Sequence, residues 1–152
     1  YDEYKYFFGK VTMYATYDYT ARNTLLYFLN KYFIDSDKLV TPIEPLDYDN
    51  ENPSYEELFF GLDYPEAYKV LHKALKGRGE NIPPLINSYM NLSPTMKVFG
   101  TSINKGFGGV EETGILVKID DMYFEKIERH ITPLKLFLSS IAYRFRPNWW
   151  KR

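Results

Sequence analysis

The sequence has 152 residues, and its 15 Tyr and 11 Phe favour a folded domain with a dense core over a disordered chain. It contains no cysteine, which excludes disulfides, thiol nucleophiles and cysteine-ligated metals. Residues 1–66 carry 5 Lys and Arg against 13 Asp and Glu, whereas residues 67–152 carry 14 against 7. The basic second half suits an anionic partner such as nucleic acid, an anionic bilayer or an acidic protein, and an ordinary solvated surface is the open alternative.

The first predicted element is a strand over Tyr4–Tyr14. Its side chains alternate between two faces, with Tyr6 and Phe8 on one face and Phe7 and Gly9 on the other. Because both faces carry aromatic rings, we expect an interior strand that is covered on each side. The glycine within it predicts a bulge or a close approach by another backbone or a ligand, and a simple packing role is equally open.

A helix that ends at about Phe33 follows this strand. Asp18 or Thr20 is able to cap its first turn, and Tyr19 and Arg22 lie at its entrance. Its apolar face is formed by residues at helical spacing, namely Leu25, Phe28, Leu29 and Tyr32. The arginine is able to hold a carboxylate with two parallel hydrogen bonds, and the alternative is that both entrance residues only pack and solvate the helix start.

The region Ile34–Tyr64 is predicted to be an acidic, mobile insertion with a short helical turn near Tyr55–Phe60. The pattern Asp47-x-Asp49-x-Glu51 superficially resembles a calcium loop, but it lacks the glycine and the distal glutamate of such loops, so we expect no calcium site. A long segment of this kind often covers an active cleft as a lid.

The next helix is predicted to begin after Asp63 and to end at Gly77. One of its faces carries positive charge, which Arg78 extends beyond the helix. The members of that face at helical spacing are Lys69, Lys73 and Lys76. Such a face suits an acidic helix of a partner protein, and an ordinary exposed lysine face is the alternative.

The stretch from Ile82 to Asp121 predicts a short helix that leads into a β-hairpin. The two arms of the hairpin are Thr95–Ile103 and Thr113–Ile119, and glycines in the loop between them permit positive φ angles. Glu111 and Glu112 lead into the second arm.

Adjacent residues on a strand face opposite sides, so only one of these two glutamates is able to face a cleft. Glu111, Glu112 or Asp120 would serve as a general base if burial raised the pKa of its carboxyl, and the alternative is an ordinary surface carboxylate. His72 and His130 are the only histidines and have no neighbours with metal-ligand spacing, so we expect them to be structural and expect no metal.

The C-terminal segment 132–152 combines an amphipathic stripe with a basic, aromatic end. The stripe is too short to span a bilayer, which requires about 20 apolar residues. Trp149, Trp150 and Arg152 suit the headgroup layer of a membrane, and a final helix with an ordinary basic tail is the alternative.

Several of these motifs together resemble the C-terminal half of the GNAT-like lipid N-acyltransferases, often labelled hemolysin. These bacterial enzymes acylate ornithine or glycine to begin aminolipid synthesis. The motifs that carry the resemblance are Tyr6-Phe7-Phe8-Gly9-Lys10-Val11-Thr12, Pro83-Pro84-Leu85, Tyr89-Met90-Asn91-Leu92, Val98-Phe99-Gly100 and Glu111-Glu112-Thr113-Gly114. They touch both ends of the region from Tyr4 to Ile131, and the resemblance implies an acyltransferase region over residues 1–131.

The resemblance implies an α/β (α+β) fold with a mixed, largely antiparallel sheet and flanking helices. It implies transfer of a 3-hydroxy fatty acyl group from acyl carrier protein, or from acyl-CoA, to the α-amine of an amino acid, with no permanently bound cofactor. We expect the enzyme to act in the cytoplasm, peripherally at the inner face of the membrane.

The resemblance also assigns roles to particular residues. The catalytic candidates are Glu111, Glu112 and Tyr19, since a tyrosine near this helix start is a general acid in some GNAT enzymes. The substrate-binding candidates are Phe8, Gly9, Thr12 and Arg22, because the arm of the acyl donor slips between two splayed strands in this fold. The carrier-docking candidates are Lys69, Lys73, Lys76 and Arg78.

One feature of the family has no counterpart here, namely the preceding strand and its phosphate-contacting turn. The sequence opens at Tyr1 without an initiator methionine, and we therefore expect a fragment that holds part of an active site. Two other classes stay open: a non-catalytic binding module that uses the basic second half, and a peripheral membrane protein. No nucleic-acid motif supports a nucleic-acid partner.

Overall fold

A three-stranded antiparallel sheet with helices packed on one face forms the body of the protein, as a computed structural model describes it for residues 5–130. The elements in chain order are β1 (Tyr6–Met13), α1 (Tyr19–Phe33), α2 (Pro53–Leu58), α3 (Tyr64–Lys76), α4 (Pro84–Met90), β2 (Lys97–Asn104), β3 (Val110–Lys118), a 3-10 turn (Ile119–Asp121) and α5 (Phe124–His130). This arrangement confirms the expected mixture of helices with an antiparallel sheet.

The central strand of the sheet is β3, which pairs with β1 on one side and with β2 on the other. Ile115 of β3 lies opposite Gly9 and Val98, and the register with β2 shifts between Val98 and Thr101. Next to this irregularity, the buried hydroxyls of Thr101 and Thr113 are hydrogen bonded at 2.7 Å. The middle of the sheet is therefore held by both backbone and side-chain hydrogen bonds.

The prediction that the first strand is interior and covered on both faces is wrong for the described residues. There β1 pairs only with β3 and forms an edge of the sheet. The side chains of Tyr6 and Phe8 are 53% and 62% exposed. Their aromatic content favours a strand, but it does not determine which neighbours cover that strand.

The two long helices begin and end close to the predicted residues because strong caps fix them. The Asp18 carboxylate accepts a hydrogen bond from the Ala21 N–H at 2.9 Å at the start of α1. At the start of α3, Asp63 and Glu66 form a reciprocal capping box. Buried side chains of these helices join the strands in one core, among them Leu25, Phe28, Leu29, Leu71, Leu75, Val11, Ile115 and Val117.

The acidic segment between α1 and α3 packs against the body of the protein. The Leu46 N–H donates to the Thr101 carbonyl at 2.7 Å, and the Ser102 hydroxyl donates to the Glu44 carbonyl at 2.6 Å. Farther along, the ring of Phe59 is fully buried and packs on Phe28. These contacts tie the segment to β2 and to the second half of α1.

The hairpin differs from its prediction in the start of its second arm. This arm begins at Val110 instead of Thr113, so Glu111 and Glu112 both lie inside β3. The loop before it uses positive φ angles at Gly108 and Gly109, as the glycine content indicates. The predicted C-terminal segment 132–152, including Trp149, Trp150 and Arg152, lies outside the described residues.

Candidate active site

A largely enclosed, part-buried ion pair joins the first turn of α1 to the start of β3. The Arg22 guanidinium donates from Nη1 to Oε1 of Glu111, and the two side chains are only 11% and 12% exposed. The partners are 89 residues apart in the sequence. Paired charges that are this well covered are uncommon, since burial of charge is costly unless it is compensated.

The register of the sheet directs the Glu111 side chain toward the helices. Glu111 lies opposite Met13 on β1 and opposite Ile103 on β2, and it shares its face with the buried Thr113 and Ile115. This is the face that carries the core. The alternation of the strand therefore places one carboxylate beneath α1.

Besides the Asp18 cap, two hydrogen bonds to residues after α3 fix the end of α1 that carries Arg22. The cap by Asp18 sets the first turn, and the Asp18 N–H itself donates to the Glu80 carboxylate at 2.9 Å. The Tyr17 hydroxyl donates to the Asn81 carbonyl at 2.7 Å. Burial, together with the negative charges of Glu80 and Asp18, raises the pKa of that tyrosine far above its ordinary value.

The guanidinium of Arg22 has two more neighbours. Its Nε donates to Oδ1 of Asn23 at 2.9 Å, and its Cζ lies 4.6 Å from the centre of the Tyr19 ring. Tyr19 is 61% exposed, so it covers the arginine from the solvent side. Tyr19 and Arg22 were expected together at the helix entrance, but Asn23 was not among the predicted site residues. It lies between the polar residues Arg22 and Thr24 in the sequence, so no local pattern indicates that it is buried.

Glu112 lies on the opposite face of the sheet, because adjacent strand residues alternate. Its carboxylate accepts a hydrogen bond from Lys10 Nζ at 2.6 Å. Hydrogen bonds from Lys10 and Asn104 lower the pKa of Glu112, whereas the predicted general base requires a raised pKa. The two glutamate side chains are similarly covered, at 12% and 17% exposed, but only Glu111 lies on the face of the sheet that carries the core.

The predicted substrate-binding residues of β1 are divided between the two faces of the sheet. The Phe8 ring stacks on Phe99 with centroids 5.9 Å apart, and Thr12 shares this face. Gly9 lies on the other face, where an added Cβ would be 3.1 Å from the Tyr89 hydroxyl oxygen. A tyrosine side chain is thus the group that approaches this glycine.

The predicted carrier-docking residues form an exposed basic surface. Lys69, Lys73 and Lys76 lie along α3, and Arg78 follows the helix. Within residues 5–130, none of the four takes part in an ion pair. No ion pair within residues 5–130 occupies these four charges, so they are available to a partner molecule.

A second buried carboxylate lies away from this site. Asp35 is 6% exposed and accepts a hydrogen bond from Lys97 Nζ at 3.1 Å, and Lys97 also donates to Asp37. Burial acts to raise the pKa of Asp35, but hydrogen bonds from Lys97 and from the Leu39 N–H outweigh it and lower that pKa. This pair links the residues after α1 to β2.

Two classes of feature are absent from residues 5–130. No group of three or more His, Asp or Glu side chains there is arranged to hold a metal ion. No helix in this range is long and apolar enough to cross a membrane.

Comparison with known proteins yields two similar sequences. The chain is 52% identical over 127 residues to a glycine N(alpha)-acyltransferase of Phocaeicola vulgatus, a match that covers 84% of this chain and 39% of that protein. It is 51% identical over 127 residues to a glycine N(alpha)-acyltransferase of Bacteroides thetaiotaomicron, with 84% and 38% covered. No family model and no solved structure matches the chain. Over most of its own length, the chain is therefore similar to about two fifths of these two glycine N(alpha)-acyltransferases.

Proposed function

We propose that this chain forms part of an N-acyltransferase that transfers an acyl group from a thioester to the α-amine of an amino acid. The observation that carries the proposal is the enclosed pair of Arg22 and Glu111, which offers one cation and one carboxylate in a single site. An α-amino acid carries the complementary charges, a carboxylate and an ammonium. The names of the two similar proteins make glycine the first acceptor to test.

The proposed reaction assigns a role to each charged group. The acceptor carboxylate binds to Arg22, and Glu111 takes a proton from the ammonium so that the amine becomes nucleophilic. The amine nitrogen then attacks the thioester carbonyl carbon, the carbon–nitrogen bond forms, and the carbon–sulfur bond breaks. The departing thiolate takes a proton from Tyr19, and the Tyr19 phenolate takes the second proton from the acylated nitrogen, which gives the neutral amide. No covalent enzyme intermediate forms.

The proposed donor is an acyl group on an acyl carrier protein, and its site involves β1. Support comes from the sequence motifs, which resemble the second half of a GNAT fold, where the donor arm slips between two splayed strands; the strand with Phe8, Gly9 and Thr12 resembles one of them. On this proposal, the edge of β1 that has no partner strand within residues 5–130 offers backbone donors that stabilise the oxyanion of the tetrahedral intermediate. The basic surface of α3, including Arg78, suits the acidic surface of a carrier protein.

The proposal extends to a 3-hydroxy fatty acyl group and to aminolipid synthesis at a membrane surface. Support for this extension comes only from the resemblance and from the sequence of the C-terminal segment. A non-catalytic binding module is the second candidate, favoured by the cations of α3, which form no ion pair within residues 5–130. A binding module of this kind would not use the ion pair between Arg22 and Glu111.

The decisive test is acyl transfer from 3-hydroxyacyl carrier protein to glycine and to ornithine, followed by mass spectrometry. The assay is run on this chain and, where its gene encodes more, on the longer protein. Glu111→Gln should lower kcat by about 100-fold or more, the scale of a lost general base. Glu112→Gln is the matched control, since it makes the same change on the next residue and should retain activity.

No product from any form of a folded wild-type protein would refute the enzyme proposal and favour the binding module. Equal losses in the two glutamine variants would refute the role of Glu111 while leaving the enzyme class intact.

A further inference from the structure

Asn23 is a fully buried polar residue in the wall of the candidate active site. Its side-chain oxygen accepts the hydrogen bond from Arg22 Nε at 2.9 Å, and the residue is 0% exposed. Its amide nitrogen, Nδ2, has no hydrogen-bond acceptor among the described residues.

The orientation of this amide is determined by its neighbour. Rotating it by half a turn would point the NH2 group at the Arg22 Nε–H, so that two donors would face each other. The observed orientation satisfies the arginine and leaves Nδ2 unpaired. Such an unpaired buried donor is costly, and a leucine, which has a similar branched shape and no polar atoms, would avoid that cost in a core helix. The benefit of the asparagine therefore lies in what it does to Arg22.

The guanidinium is held from three directions. Asn23 holds Nε, Glu111 holds Nη1, and the Tyr19 ring lies against one face. These contacts fix both the plane of the group and its rotation. In the described part of the chain the remaining terminal nitrogen, Nη2, has no hydrogen-bond partner.

We propose that Asn23 is a positioning residue that holds the Arg22 guanidinium so that Nη1 meets Glu111 while Nη2 stays available to a ligand carboxylate. The inference rests on the proposed function for the identity of the ligand, an α-amino acid. It adds that recognition of the acceptor carboxylate depends on a residue that does not touch the acceptor. Asn23 thereby acts on acceptor binding and not on binding of the thioester.

The first test separates the Michaelis constants of the two substrates. Asn23→Leu should raise the KM for glycine by roughly tenfold, the scale of one lost ordering hydrogen bond, and should leave the KM for the acyl donor unchanged. Thr24→Val is the matched control. Thr24 is a buried polar residue of the same helix, but its hydroxyl donates to the Thr20 carbonyl at 2.8 Å and does not touch Arg22. A merely structural effect would raise the KM in both variants, and it would do so for glycine and for the acyl donor alike.

The second test does not require activity. The proton on Arg22 Nε, followed by 15N NMR, should exchange slowly with solvent in the wild-type protein and in Thr24→Val. It should also exchange slowly in Asn23→Asp, because that variant keeps an oxygen acceptor. It should lose that protection in Asn23→Leu. Retained protection in folded Asn23→Leu would overturn the inference, and so would an unchanged KM for glycine. If the wild-type protein transfers no acyl group, the proposed function fails and the exchange measurement still decides the role of Asn23.

Discussion

The ion pair between Arg22 and Glu111 should make a measurable and non-additive contribution to stability. Removing one partner of a buried pair leaves the other charge uncompensated, which costs about 3–5 kcal/mol when enclosure is complete. The two side chains are 11% and 12% exposed, so the lower end applies, and Arg22→Met should cost about 3 kcal/mol. Glu111→Leu should cost about 2 kcal/mol, because the arginine keeps Asn23 and the Tyr19 ring as neighbours.

The double variant should cost much less than the sum of the two, since no uncompensated charge is left. The expected coupling is about 2–3 kcal/mol, measured as free energies of unfolding in urea at pH 7. For a protein of this size, a loss of 3 kcal/mol lowers the melting temperature by roughly 6–12 °C. Additive effects, with coupling below about 0.5 kcal/mol, would refute the description of an enclosed pair.

Two further predictions concern other parts of the fold. Gly9→Ala should destabilise the protein by about 1 kcal/mol in thermal unfolding, because the new Cβ would lie 3.1 Å from the Tyr89 hydroxyl oxygen. The same substitution in a Tyr89→Phe variant should cost much less stability, since that hydroxyl is absent. An equal loss of stability in both backgrounds would contradict the contact. Asp35→Asn should lower the melting temperature at pH 7. Since the folded-state pKa of Asp35 is below the ordinary value of 3.8, the stabilisation is present above that pH and is lost as the pH falls through the folded-state pKa. The difference between wild type and variant should therefore shrink as the pH falls below 3.8, and a difference that did not change with pH would contradict the lowered pKa.

Local signals in the sequence were sufficient to place α1, α3 and the hairpin. Asp18, Asp63 and Gly77 mark helix ends through hydrogen bonds that involve only neighbouring residues, so their effect is readable without the fold. The hairpin is equally local, because its arms are joined by a short glycine-rich loop. The second arm began three residues earlier than predicted, since Val110 and both glutamates pair with β1 and β2.

The features that depend on contacts between distant parts of the sequence could not be predicted from local patterns. Strand alternation predicts that only one of the two glutamates is able to face a cleft. The choice of Glu111 required the register with Met13 and the side on which α1 packs. The exposure of Tyr6 likewise follows from its position on the face of the sheet opposite the core, since Val11 and Met13 of the same strand are buried on the other face. Alternation alone does not say which face the helices cover. Asn23 was missed because its role arises from an orphan donor that only the packed helix creates.

The proposed acceptor site and the proposed donor site differ in how firmly the described residues hold them. Glu111 lies on the central strand, whose backbone is hydrogen bonded on both sides, and Arg22 lies in a helix turn fixed by the Asp18 cap. Groups on such elements hold their geometry before a ligand arrives, which is the condition for effective positioning. On the proposed reaction, the acceptor thus meets a preformed site within residues 5–130. The donor, by contrast, would lie along β1, which has one open edge in these residues, so additional protein that covered that edge would affect thioester binding before it affected glycine binding.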